Sequence, residues 1–200
     1  MKLKSLITGL ICIIAIFNIS AADSCIDRWD EFTHSAEKHQ LTRWMRDTSR
    51  SMLNKEKIPP DLDIVLPAEP ECTGLFITLI KQGKVRGCFG AFSHNKSSFC
   101  AILRDYIKGA LSYDPRYNPI EKHEFNDTEI ILTIASNIEP INDINSVDIS
   151  NFGLYIECDD SSKLVIVPAE YRTVSRVMKL TGNTQCRFYR FRGVTVRGNL

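Results

Sequence analysis

This 200-residue chain contains no repeat at a period of about 20–50 residues and no low-complexity run. Solenoids, propellers and long disordered arms are thereby set aside. An excess of one charge is also missing: 25 Lys and Arg stand against 24 Asp and Glu, a formal net charge of +1. That balance gives no global attraction to nucleic acid or to an anionic membrane. No Cys-x-x-Cys occurs, which removes the spacing of a thioredoxin-like redox pair and of a zinc ribbon. His34 and His39 are five residues apart, where four would set them on one helix face. Metal binding therefore has no spacing support, and no cofactor is implied. Beyond the first residues, no apolar run is long enough to cross a bilayer, which takes about 20 residues.

Hydrophobic residues make up 44% of the chain and charged residues 24%, the proportions of one globular domain able to bury a full core. The N-terminus differs in kind. Lys2 and Lys4 precede an apolar run from Leu6 to Phe17, followed by Ser20-Ala21-Ala22. Charge, apolar stretch and small residues are the three parts of an export signal, with the cut expected after Ala22. The run is too short for a comfortable membrane anchor. Residues 23–200 are then the domain, in a secreted or periplasmic setting. A lipoprotein anchored through Cys25 is the weaker alternative, because Ala22-Asp23-Ser24 makes a poor lipobox. Loss of residues 1–22 takes two lysines and moves the net charge from +1 to −1. It also takes Cys12 and leaves Cys25, Cys72, Cys88, Cys100, Cys158 and Cys186. Disulfides are permitted in an oxidising compartment, but their pairing cannot be deduced.

Apolar residues at helical spacing predict a helix from Cys25 to Lys57, with Ser24 and Asp27 as caps and Pro59-Pro60 as its stop. Residues 59–72 read as an extended connection. A hairpin follows: strand 75–80, a turn at Gln82-Gly83, and strand 84–90. Residues 99–111 read as a helix stopped at Asp114-Pro115. Strands are expected at 129–135, 154–156, 164–167 and 186–196, and a helix at 170–180 with Gly182 as its cap. Strand runs joined by hairpins and broken by helices argue an α+β fold with an antiparallel sheet.

Gly83-Lys84-Val85-Arg86-Gly87-Cys88-Phe89-Gly90-Ala91-Phe92 resembles the signature of the AMMECR family, the protein A component of the AmmeMemoRadiSam system. Gly74 to Leu79 is similar to that family's preceding strand, and Asp114-Pro115-Arg116-Tyr117-Asn118-Pro119 to its Asp-Pro-Arg-Phe-x-Pro element. Glu129–Ser136, Glu139-Pro140-Ile141, Gly153–Ile156 and Val167-Pro168 follow in the family's order, so the likeness runs from about residue 42 to 200. The resemblance implies a central, mainly antiparallel sheet flanked by helices, with a smaller second lobe. It also implies pathway partners, a Memo-like protein and a radical enzyme. The chain departs from the pattern at Asn151-Phe152, where members often carry His before the glycine. Its export signal departs too, and sets a thiolate role for Cys88 in question.

Read on chemistry alone, Arg86-Gly87-Cys88-Phe89-Gly90 places a thiol between two glycines beside a guanidinium. A neighbouring cation lowers a thiol's pKa, and a thiolate is a nucleophile. The opposing reading is a small buried cysteine in a strand whose glycines mark a bulge. In the functional reading Cys88 is catalytic, and Arg86, Gly87, Gly90 and Arg116 bind a small anion, with Asp114 orienting Arg116 toward it. A base would have to come from His94 or His123, both in polar stretches that suit surface histidines better, or from His34 or His39. The aromatic and basic tail Arg187–Arg192 and the Arg-Gly pair at 86–87 do not match an RNA-binding register, and no nucleic-acid partner is expected. Two functions remain open: an enzyme or enzyme component acting through Cys88, and a non-catalytic module binding a ligand or partner, with disulfide stabilisation as a variant.

Overall fold

A computed structural model describes residues 21–67, 74–96, 98–168, 170, 173–182 and 184–198. Most of the expected export signal, and Cys72, lie outside these residues. The predicted helix over 25–57 is two helices, α1 (Ala21–Thr33) and α2 (Glu37–Asn54). They break where Thr33 turns its hydroxyl onto the Asp30 carbonyl and the His34 and Ser35 amides tighten onto Glu31 and Phe32. Asp27 is inside α1 and reaches Arg192, so it is no cap. Helix α2 ends ahead of the prolines, at Lys55 in the left-handed conformation (φ 60°).

The hairpin forms as expected, from β1 (Gly74–Lys81) and β2 (Lys84–Ala91). Gln82 and Gly83 both have positive φ, the geometry whose twist matches a tight hairpin. Helix α3 (Phe99–Ser112) begins on Ser98, whose hydroxyl accepts from the Ala101 amide. Next come a short helix α4 (Lys122–Phe125) and β3 (Thr128–Ala135). They are followed by β4 (Glu139–Ile141), a 3-10 turn at Ile144–Ser146, and the hairpin β5 (Phe152–Cys158) with β6 (Lys163–Ile166). The last two elements are α5 (Val174–Thr181), shorter than its pattern predicted, and β7 (Cys186–Arg197). Every strand pairing is antiparallel, in the order β2-β1-β3-β7-β5-β6, with β4 also on β7.

Strand β7 carries the architecture. Residues 193–197 pair with β3, and residues 186–192 pair with β5. One half of the sheet buries Leu75, Ile77, Leu79, Leu132 and Ile134 against α1, α2 and α3. The other half, with α5, closes a smaller core on Leu154, Ile156, Ile166 and Val177, which is the second lobe. Full burial of each such side chain contributes about 1.5–3 kcal/mol, so both cores are substantial. Cys158 stands opposite Cys186 in the β5–β7 register and is bonded to it. No described helix is long and apolar enough to cross a membrane.

Candidate functional site

The glycines of the motif strand β2 let it approach α3 at Gly87 and β1 at Gly90. A Cβ on Gly87 would lie 2.2 Å from the Ala110 carbonyl oxygen, and one on Gly90 would lie 2.2 Å from the Leu75 carbonyl oxygen. Both positions make room for neighbouring backbone. Neither faces a ligand space.

Arg86 and Cys88 are two apart, and strict alternation would put them on one face. The register slips between Leu79 and Ile80: Leu79 pairs with Gly87 and Ile80 with Val85. Arg86 is the extra residue of a bulge, which re-aims it. Its guanidinium donates to the Asn118 and Pro119 carbonyls at 2.6 and 3.3 Å and to Glu124 at 3.0 Å. Lys81 joins Glu124 at 3.3 Å. Hydrogen bonds from Arg86 and from the Glu121 amide hold the Glu124 carboxyl down at about 2. Arg86 is thus a latch on α4, away from the sulfur.

Cys88 is half-buried, a free thiol on the sheet face that carries Phe76, Val167 and Phe191. Its sulfur accepts from Thr78 Oγ1 at 3.4 Å, and its amide donates to Asp114 Oδ2 at 2.7 Å. Asp114 follows the end of α3 and folds back as an Asx turn, accepting the Arg116 amide at 3.0 Å. The same carboxylate takes Arg116 Nε and Nη2, both at 3.0 Å, and Arg116 Nη1 donates to Glu170 at 3.2 Å. Glu170 lies outside the helix predicted to start with it. Its other oxygen accepts from the Val167 amide at 3.1 Å, and its side chain is 1% exposed. Beside it a hollow of about 30 Å3, room for one water, is lined by Thr78, Thr133 and Glu170.

The charges in this cluster set its chemistry. Burial, then the nearby Glu170 carboxylate, push the Cys88 thiol up to about 12, against the smaller help of Thr78 and Arg116. Burial opposes ionisation of Asp114, but the hydrogen bonds from Arg116 overcome it and hold the carboxyl below its ordinary value. Burial raises Glu170, with Arg116 pulling the other way. Arg116 is raised: burial lowers it, but the hydrogen bond it donates to Asp114 and the charge of Glu170 outweigh that. At neutral pH the sulfur is a thiol, and each nitrogen of Arg116 already faces a carboxylate.

The histidines are placed elsewhere. His94 Nδ1 is 2.8 Å from the Tyr106 hydroxyl, and burial lowers its pKa. His123 is exposed, 3.2 Å from Glu121. Of the residues singled out from the sequence, Cys88, Asp114 and Arg116 come together, while Arg86, Gly87 and Gly90 serve packing and latching. Thr78 and Glu170 were missed. Thr78 lies directly opposite Cys88 only because of the bulge, since the unbroken register of the turn would have put Ile77 there. Glu170 has no local signal, since it reaches Arg116 across 54 residues. The basic tail of β7 is paired too: Arg187 with Glu157, Arg190 with Glu139, Arg192 with Asp27.

Fold and site define an α+β protein in which an Asp–Arg–Glu network beside a half-buried thiol lies between one half of a long sheet and the other. The chain belongs to the AMMECR1 family, whose model matches residues 33–184. A protein of Thermotoga maritima is 28% identical over 121 residues, 60% of this chain and 70% of that one. One from Methanosarcina barkeri is 33% identical over 109 residues, and one from Methanosarcina mazei 31% over 129. These two matches span 54% and 64% of the relatives' own lengths. An uncharacterised protein of Pyrococcus horikoshii, known from a crystal structure, shares the fold at a TM-score of 0.60 and 17% identity, over 81% of this chain and 96% of that one.

Proposed function

We propose that this chain is an exported, disulfide-stabilised, non-catalytic binding module of the AMMECR1 family, in which the Cys88 cluster fastens the lobes together. The observation that carries this reading is the closure of the cluster on itself: Arg116 is engaged by Asp114 and Glu170, and the thiol is held up to about 12. A nucleophilic cysteine needs a lowered pKa or an adjacent base, and an anion site needs a guanidinium with donors to spare. Here the thiol is raised instead, and three of the five N–H donors of Arg116 are already engaged by carboxylates. The Cys158–Cys186 bond and the disulfide-bonded state of Cys25 support an oxidising compartment. Cys25 is also buried, so its sulfur is not available for a lipid. The Memo-like and radical-enzyme partners implied by family resemblance belong to the same proposal, as proteins such a module would serve.

Alkylation of the native protein, followed by intact mass across a pH series, tests the reading. Labelling of Cys88 is expected to be slower than that of a small free thiol at neutral pH. It should climb about tenfold per pH unit without levelling near the ordinary thiol value. A fast thiol that levels off below neutral pH sinks the proposal. N-terminal sequencing of the protein from its native host tests export, and a chain that still begins at Met1 counts against it.

A further inference from the structure

An open cavity among the described residues has none of the Cys88 cluster in its lining. It holds about 460 Å3 between α2, the α4–β3 junction and the end of β7, the size of a small-molecule site. His39, Arg43 and Arg46 follow one another at i, i+4 and i+7 on α2, so they share one flank beside the face that buries Leu41 and Met45. Arg46 is fixed in place: its Nη2 donates to the Asn126 carbonyl at 3.3 Å, and its guanidinium lies 5.6 Å from the centre of the Phe125 ring. Arg43 is exposed and has no hydrogen bond or ion pair among the described residues.

The rest of the lining has different chemistry. Glu129 belongs to it with Asn126, and the nearest cation to the Glu129 carboxylate is Arg197, at 3.9 Å. That distance is too long for a hydrogen bond, and the carboxylate keeps acceptor capacity. Two guanidiniums and an imidazole thus share one cavity with a carboxylate and an amide, Arg46 reaching over to the Asn126 backbone. A nucleic-acid backbone would bring phosphate against both sets of groups, and Glu129 would repel it. A ligand that is anionic at one end and hydroxylated at the other satisfies both.

We infer that this cavity binds a small phosphate monoester of a hydroxylated carbon skeleton. The phosphate sits on Arg43 and Arg46, with His39 as a further donor, and the hydroxyls donate to Glu129 and Asn126. Guanidiniums recognise phosphate through paired, charge-assisted donors. Glu129 supplies the selection for a hydroxylated ligand over phosphate alone.

Isothermal titration of the purified protein with glucose 6-phosphate, inorganic phosphate and glucose tests this. Glucose 6-phosphate is expected to bind at least about tenfold more tightly than inorganic phosphate, and glucose not measurably. Arg43→Ala should weaken glucose 6-phosphate about tenfold or more while leaving the ligand-free melting temperature unchanged, since Arg43 has no fold partner to lose. Glu129→Gln should weaken glucose 6-phosphate and spare inorganic phosphate. No binding at millimolar ligand, or wild-type affinity in Arg43→Ala, overturns the inference. Equal affinities for the two phosphates overturn the hydroxyl half of it. Cys88→Ser should leave all three titrations unchanged, so a reactive Cys88 would sink the preceding reading and leave this one standing.

Discussion

Helix α3 and strand β2 approach each other by each giving up a side chain. Gly87 leaves space for the Ala110 carbonyl, and a Cβ on Gly109 would fall 2.2 Å from the Phe89 ring. Alanine at position 87 would press on backbone, which cannot swing aside as a side chain can. Gly87→Ala is therefore expected to lose about 3 kcal/mol, the upper end of overpacking costs, read by urea unfolding. Gly83→Ala is the control. Gly83 sits at φ +72° with nothing within 4 Å of its Cβ direction, so its loss should be about 1 kcal/mol, from backbone conformation alone. Equal losses at the two positions would show that close approach does not govern the motif's glycines.

At the level of elements, the bulge in β2 decides what the signature does. The sequence exposed the hairpin, its turn and both glycines, because alternation and turn chemistry are local signals. It could not expose the extra residue, since a bulge depends on the partner strand, and one uncounted residue moves Arg86 off the face of Cys88. Helix α4 escaped notice for a related reason, being only four residues long. It matters because Glu124 on it receives Arg86 and Lys81. A carboxyl lowered in the folded state to about 2 contributes stability that is full above its unfolded value and is lost as pH falls toward 2. Glu124→Gln should thus be less stable than wild type at neutral pH, with a gap that narrows below about pH 4 and closes near pH 2. A gap that does not change with pH would mean the latch holds by shape and not by charge.

On the scale of the whole molecule, the two lobes share β7 and meet again at Arg116. The second lobe was implied by the family resemblance, while the α+β class was legible in the sequence, since each hairpin and helix carries its own periodicity. The link between lobes was not, because Glu170 and Arg116 find each other only after the sheet has formed. Glu170 is raised by burial in spite of Arg116, so its ionised form costs stability at neutral pH, and that cost is relieved as pH falls through its raised value. The two partners should then respond unequally to removal. Arg116→Met leaves Glu170 and Asp114, 1% and 3% exposed, without their counter-charge, and an uncompensated buried charge costs about 3–5 kcal/mol. Glu170→Gln keeps a carbonyl oxygen for the Val167 amide and discards the strained charge, so its cost should be under about 1 kcal/mol. In the Glu170→Gln background, Arg116→Met should cost about 1–3 kcal/mol less than it does alone, the coupling expected of groups in direct contact. Urea unfolding of the four proteins at neutral pH measures that coupling. A value near zero would mean that the lobes are held by β7 and their apolar cores, and that the Asp–Arg–Glu network only occupies the seam between them.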